Sequence, residues 1–435
     1  MRLELADFPV NDIRFDKRTE YNHGVLKIDK EELLAYILEE NRIASADLDV
    51  AFPSEETRIL NVRDVVEPRV KVSGPGCVFP GILGPVETVG EGRTHRLSGA
   101  TVMASADYRP TIISGIAAKN TAILDMWGPG AQVTPFASTI NLVLILKLID
   151  GISEVEAHAA IQLAEFRVAS RLAETTRNIA PEKVEVFEIS KVDPSLPRIV
   201  YILSVMTMEY DPHSHVAVYG MSIRESLPTF IHPNELLDGA VTTDARRGNG
   251  GYTLTWHYMN NPVCLELLKE HGKRLNFIGV ILQRTRFQTE LGKQVTAATT
   301  SQMARLLVVD GAILTVSNPA GANFMDVILT LQACERKGVK TVLITPERGG
   351  ADGTDPLLLF YVPEGTAMVS TCSLEREIKL PKPKKVIGVR PGDLGQLYIG
   401  DPQFNPQEEL LRDGWRDIIG GIDWFGNMGI TFREY

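Results

Sequence analysis

The chain has 435 residues and a mass of 48.0 kDa, too long for one ordinary core, so at least two domains are expected. Hydrophobic residues make up 44% and charged residues 23%, the proportions of a folded globular protein. A formal net charge of -10 argues against the concentrated basic face that a nucleic-acid partner needs.

The opening "MRLELADFPV" has no basic stretch ahead of an apolar run, so no signal peptide is expected. The most apolar run, "INLVLILKLIDG", is interrupted by Asn141 and Lys147 and reads as a buried strand or helix rather than a membrane span. Cys77, Cys264, Cys334 and Cys372 lie far apart with no CxxC. Neither a disulfide framework nor a cysteine zinc site is expected, and a reducing cytoplasm fits.

Along the chain, "LKIDKEELLAYILEE" predicts a helix with Asp29 as N-cap, Glu32 completing a capping box, and an apolar stripe of Leu33, Leu34, Ile37 and Leu38. "RILNVRDVVEPRVKV" follows in strand-like alternation. From Gly74 to Gly92, glycine and proline recur every few residues, which predicts a long ordered loop or a string of turns. "DMWGPGAQVTPF" is a second such turn between two apolar runs. Asp125, Gly128 and Gly130 in it are candidates for substrate binding or, equally, for a crossover loop. "SEVEAHAAIQLAEFRVASRLAETTRNIAPEK" predicts the longest helix, capped by Ser153 and Glu156 and ending before Pro181. "PRIVYILSVMTM" and "HVAVYGMSI" read as strands of one sheet.

After Pro262 the texture becomes strand, helix, strand. "NFIGVIL", "GAILTVS" and "GVKTVLITPE" are buried strands, and Phe324, Val327, Ile328, Leu331 and Cys334 form the stripe of a helix closed by Gly338. The expected fold is therefore α/β, a mixed α+β N-terminal domain followed by a doubly wound parallel-sheet domain. "SNPAGANFMD" falls at a strand's carboxyl end, either as an anion site or as a turn with an N-cap.

No HExxH, GxSxG or P-loop is present. His213 and His215 in "DPHSH" would share one face of a strand, as two metal ligands do, or be two ordinary hydrogen-bonded histidines. His257 in "TWHYMNN" is a lone histidine of the kind that is more often structural.

Several stretches, in order, resemble one family, the component B subunit of glycine, sarcosine and betaine reductases that is made as a proprotein. They include "EPRVKVSGPGCVFPGILG", "GEGRTHRLSGATVM", "DMWGPGAQVTPFASTINLVL", "HPNELLDGA", "NNPVCLELLKEHGKRLNFIGVI" and "CERKGVKTVLITPE". The resemblance implies reductive cleavage of the C–N bond of a small amine or amino acid. It also implies a hetero-oligomer with a selenocysteine- or cysteine-containing partner subunit. A further implication is self-cleavage before a cysteine between "DGA" and "NNP", leaving a pyruvoyl group that captures the substrate amine.

Here the chain departs from the pattern, because Asp238 to Pro262 contains no cysteine. On this reading residues 1–240 form the first domain, 241–262 a processing-site-like loop, 263–390 the α/β domain and 391–435 a C-terminal extension. Three readings follow. The chain is an uncut subunit of a reductase-like complex. Or Thr242 or Thr243 is the reactive residue of a self-processing amide hydrolase, with Asp244 and His257 as helpers. Or it is a non-catalytic binding or scaffold paralogue, in which Arg246 and Arg247 grip a substrate carboxylate or are solvated loop charges.

Overall fold

A computed structural model describes residues 1–106, 122–190, 192–207, 216–243, 252–286, 289–316, 321–350, 354–388, 405–412 and 414–428. The chain is α/β, with several sheets and helices on their faces. Among the described residues no helix is long and apolar enough to cross a membrane.

The largest sheet has six strands. Five run parallel, in the spatial order Asn276–Arg286, Arg198–Thr207, Gly311–Thr315, Lys340–Glu347, Met368–Ser373. Numbered along the chain this order is 2-1-3-4-5, and Thr229–Ile231 adds an antiparallel edge. Two of the six strands come from before residue 240 and four from after it.

Side-chain alternation sends Val200 and Ile202 to one face and Tyr201, Leu203 and Val205 to the other. The first face is covered by Gly321–Arg336, whose Phe324, Val327, Ile328, Leu331 and Cys334 are all buried as its periodicity predicts. Glu290–Leu306 lies beside that helix. Pro262–Glu270, with Cys264, Leu267 and Leu268, packs on the second face.

Two four-stranded sheets form the other main body, and the Glu154–Glu174 helix packs on both. Ser153 and Glu156 cap that helix reciprocally, as its sequence predicts. The earlier box is half formed. Asp29 accepts the amides of Glu31 and Glu32, but Glu32 turns to Thr19 Oγ1 (2.6 Å) and Arg171 (2.7 Å).

Two expectations are corrected. Arg198–Thr207 and Val216–Val218 belong to different sheets, the latter pairing with Met221–Ser222 and Val241–Thr243. The "RILNVRDVVEPRVKV" stretch does not alternate. It forms three strands, Thr57–Leu60, Val62–Val66 and Arg69–Ser73, in three sheets, the first two buried throughout. Asn61, at φ 57°, makes the break between the first two.

Candidate functional site

The segment from Asp238 to Val263 is gripped at both ends by that buried charged stretch. Arg69 donates through Nη1 to the carbonyl of Leu237 and through Nη2 to Asn260 Oδ1 (2.6 Å). Glu67 pairs with the same guanidinium at 2.5 Å. Asp238 is fully buried and accepts from Lys71 Nζ, from Thr94 Oγ1 (2.6 Å) and from the amide of Gly90 (2.8 Å). Gly239, at φ 75°, leaves no room for a Cβ, which would stand 2.7 Å from the Phe79 ring. Phe79 belongs to the glycine-proline loop and stacks on Phe166 with centroids 4.0 Å apart. At the far end Asn261 caps the Pro262–Glu270 helix by accepting the amide of Cys264 at 2.9 Å.

Between these anchors, Val241–Thr243 is the last described strand before residues 244–251. Every polar group of Thr243 is engaged. Its amide donates to Thr255 Oγ1 (3.0 Å), its hydroxyl to the carbonyl of Thr253 (3.0 Å), and its carbonyl accepts from Gln162 Nε2 (2.9 Å). Thr255 Oγ1 donates a hydrogen bond to Asp64 Oδ2 at 2.6 Å, and its amide donates to Asp64 Oδ1 at 2.9 Å. Thr242 points away on the pleat; its hydroxyl is buried and has no hydrogen-bond partner among the described residues.

One turn beyond Gln162 stands Glu165, fully buried, its Oε1 accepting from the amide of Ala104 at 3.2 Å and its Oε2 without a partner among the described residues. Burial, and then the charge of Asp64, hold the Glu165 carboxyl well above the ordinary range. Burial raises Asp64 to about 7 against the hydrogen bonds of Thr255 and Val65. Two carboxyls that resist ionisation thus lie behind the strand that leads into the loop.

His257 sits on the short Thr255–Met259 helix, ringed by Phe136, Trp256 and Phe425. Its Nδ1 accepts the amide of Leu254 at 3.0 Å, and burial lowers its pKa to about 3. It is a neutral ring built into the wall. Asp244, Arg246 and Arg247, named as helper and carboxylate ligands, lie outside the described residues, as do His213 and His215.

Asp125 is fully committed elsewhere. Arg58 Nε and Nη2 donate to its two oxygens at 2.7 and 2.9 Å, both side chains being inaccessible to solvent. The rest of the guanidinium holds the carbonyls of Pro381 (2.8 Å), Pro406 (3.0 Å) and Glu408 (2.9 Å). Gly128 and Gly130 serve the same junction, since a Cβ on either would strike Pro381 (3.1 Å) or Leu380 (2.8 Å). The structure therefore sets Asp125, Gly128 and Gly130 at a packing junction and brings none of them to Thr242 or Thr243 by any hydrogen bond.

Of "SNPAGANFMD", residues 317–320 are outside the described part. The Gly321–Arg336 helix that follows buries Asn323, whose amide has no hydrogen-bond partner among the described residues, and Asp326, which pairs with Lys293 at 2.7 Å. This lies at the carboxyl ends of the first three parallel strands, where open α/β sheets hold ligands. Among the described residues no group of three or more His, Cys, Asp and Glu is set to hold a metal ion.

The profile of the glycine/sarcosine/betaine reductase component B subunits matches residues 1–400. The chain is 35% identical over 406 residues, 92% of each chain, to glycine reductase complex component B subunits alpha and beta of Acetoanaerobium sticklandii. It is 32% identical over 428 residues, 96% of each, to the sarcosine reductase complex component B subunit alpha of Peptoclostridium acidaminophilum. This chain belongs to the glycine/sarcosine/betaine reductase component B family. A betaine reductase complex component B subunit alpha from the same organism is 31% identical over 437 aligned positions, 98% of this chain and 92% of the relative. No solved structure matches the chain.

Within this family member, the residues that sequence reasoning missed are Asp64, Arg69, Gln162, Glu165 and Thr255. A signal for two of them, Asp64 and Arg69, was present: Arg58, Arg63, Asp64, Glu67, Arg69 and Lys71 are charges inside strand-like runs, and all are buried. Consecutive buried strands carrying that many charges imply a network of pairs, because an unpaired buried charge is strongly unfavourable.

Proposed function

We propose that the chain is an uncut subunit of a glycine/sarcosine/betaine reductase-type hetero-oligomer. It acts on the C–N bond of a small amine or amino acid without a cysteine-derived pyruvoyl group, beside a selenocysteine- or cysteine-containing partner subunit. The observation that carries this reading is the retention of the family's sequence over nearly the whole chain together with a segment from Asp238 to Pro262 that has no cysteine.

The residues present do not fit the pyruvoyl group. The next cysteine, Cys264, lies in the first turn of a capped helix, fully buried, with its Sγ 3.9 Å from the carbonyl of Pro233. Burial pushes its thiol far above the usual range, so it supplies no thiolate. The peptide bonds on either side of Thr242 lie in a ladder with Val216–Val218, which favours an intact chain. The grip of Arg69, Lys71 and Asp238 then serves to hold the two ends of the segment to the fold.

The threonine-nucleophile reading has one observation in its favour, the buried and unpartnered hydroxyl of Thr242. The denatured mass of freshly purified protein separates the two. A single species at 48.0 kDa is expected. Two fragments breaking before Thr242 or Thr243 would replace the uncut subunit with a self-processing one. Co-purification with a thiol- or selenol-bearing subunit, and release of amine from glycine, sarcosine or betaine by the pair, then tests the reductase role.

A further inference from the structure

Three arginines converge on one carboxylate near the edge of the six-stranded sheet. Arg284 and Arg286 stand two residues apart at the carboxyl end of Asn276–Arg286, so both side chains leave the strand on the same face. The antiparallel edge strand stops short of them, its Thr229 pairing with Leu282. The turn before that edge strand carries Arg224 and Glu225, and is closed by the Ser226 amide on the carbonyl of Ile223 at 3.1 Å. The Glu225 carboxylate lies 2.7 Å from Arg286 Nη1, 3.6 Å from Arg284 Nη1 and 3.4 Å from Arg224 Nε. Arg284 Nη1 also donates to the carbonyl of Arg224 at 2.8 Å, which ties the turn to the strand.

The charges around this point do not balance. Three guanidiniums face one carboxylate. The side chains of Arg284 and Arg286 are 11% and 12% exposed, whereas that of Glu225 is 70% exposed. Asp326 also acts on Arg284 through its charge, but it is itself paired with Lys293 at 2.7 Å. Burial, and then the charge of Arg286, hold the Arg284 guanidinium below the usual arginine value. The Nε of Arg284 and that of Arg286 are both buried with no hydrogen-bond partner among the described residues, and such donors are costly to leave unmatched. Glu225 reaches the cluster from the solvent side, so an outside anion has the same access. The carboxyl side of a parallel sheet is also where such folds hold ligands.

We infer that Arg224, Arg284 and Arg286 bind a phosphoryl dianion, carried by an organic monoester or free as inorganic phosphate, and that Glu225 is the internal anion it displaces. A dianion puts two negative charges where Glu225 puts one. Its tetrahedral oxygens accept from separate guanidiniums at once, whereas one planar carboxylate matches a single fork. The inference rests on this cluster alone and holds whether or not the chain acts in a reductase.

Calorimetric titration of the full chain at fixed ionic strength with glycerol phosphate, inorganic phosphate and acetate tests it. At least one phosphate probe is expected to bind with a Kd below about 1 mM, and acetate at least about tenfold more weakly. Phosphate affinity should fall between about pH 7.5 and about pH 5.5, because the phosphoryl group loses its second charge near about pH 6. E225Q changes an exposed side chain and is expected to bind phosphate about tenfold more tightly, since the internal competitor is gone. R286M is expected to weaken it about tenfold or more, once cooperative melting has shown the variant to be folded. The tighter of the two phosphate probes names the source, and either one supports the site. Absence of binding by parent and E225Q alike overturns it. So does acetate binding as tightly as phosphate, or E225Q binding phosphate no more tightly than the parent.

Discussion

Replacing Arg58 by methionine should lower folding stability by about 3–5 kcal/mol, the usual consequence of stranding a buried charge. Asp125 would lose both of its hydrogen-bond donors while remaining inaccessible to solvent. Burial already drives its carboxyl upward, and only the guanidinium opposes that. The carbonyls of Pro381, Pro406 and Glu408 would lose their donor as well. Arginine is needed for its fork, since three nitrogens reach four separate groups, so lysine should rescue little. The double variant Arg58→Met with Asp125→Leu should recover part of the loss, because it removes the stranded charge. Urea unfolding of the three variants measures this. A loss below about 1 kcal/mol in Arg58→Met would mean that solvent reaches Asp125 and that the junction is not the dry one described.

Such a junction explains what was legible in the sequence. Helices Glu154–Glu174 and Gly321–Arg336 could be read because their information is local: a cap, an apolar stripe of period 3.6, and a stop. The parallel strands could be read because a run such as "NFIGVIL" has one use in a sheet with both faces covered. Arg58, Asp64 and Arg69 could not be assigned, because their partners lie 67 to 350 residues away. Nothing near Asp125 in the sequence distinguishes a ligand-binding acid from one half of an ion pair. The reverse holds for His257, whose aromatic neighbours Phe136 and Phe425 come from distant segments and decide its neutral state. The family resemblance supplied the chemistry in question and the place to look for it. The arrangement behind the Asp238–Val263 segment, from Gln162 and Glu165 to Thr255, came from tertiary contacts alone.

That arrangement gives the second large expected effect, a stability that falls as pH rises. Asp64 titrates near 7 in the folded chain and Glu165 well above its ordinary value, whereas both titrate near ~4 when unfolded. Below about pH 4 both states hold these protons and the pair contributes no pH dependence. Between about pH 4 and pH 7 the folded chain retains protons that the unfolded chain has released, so each step up in pH favours unfolding. Glu165→Gln should remove much of this slope. Glutamine keeps the oxygen that accepts from Ala104, is uncharged at every pH, and removes the carboxyl on which the Asp64 charge acts. Near pH 8 the variant should be more stable than the parent by on the order of 1–2 kcal/mol, and near pH 4 the two should converge. Asp64→Asn is expected to do the opposite at every pH. Asp64 accepts from the amide and hydroxyl of Thr255 and from the amide of Val65, and an amide group there would turn a donor toward a donor. Urea midpoints between pH 4 and pH 8 distinguish these outcomes. Parallel curves for the parent and Glu165→Gln would show that Glu165 releases its proton at an ordinary pH.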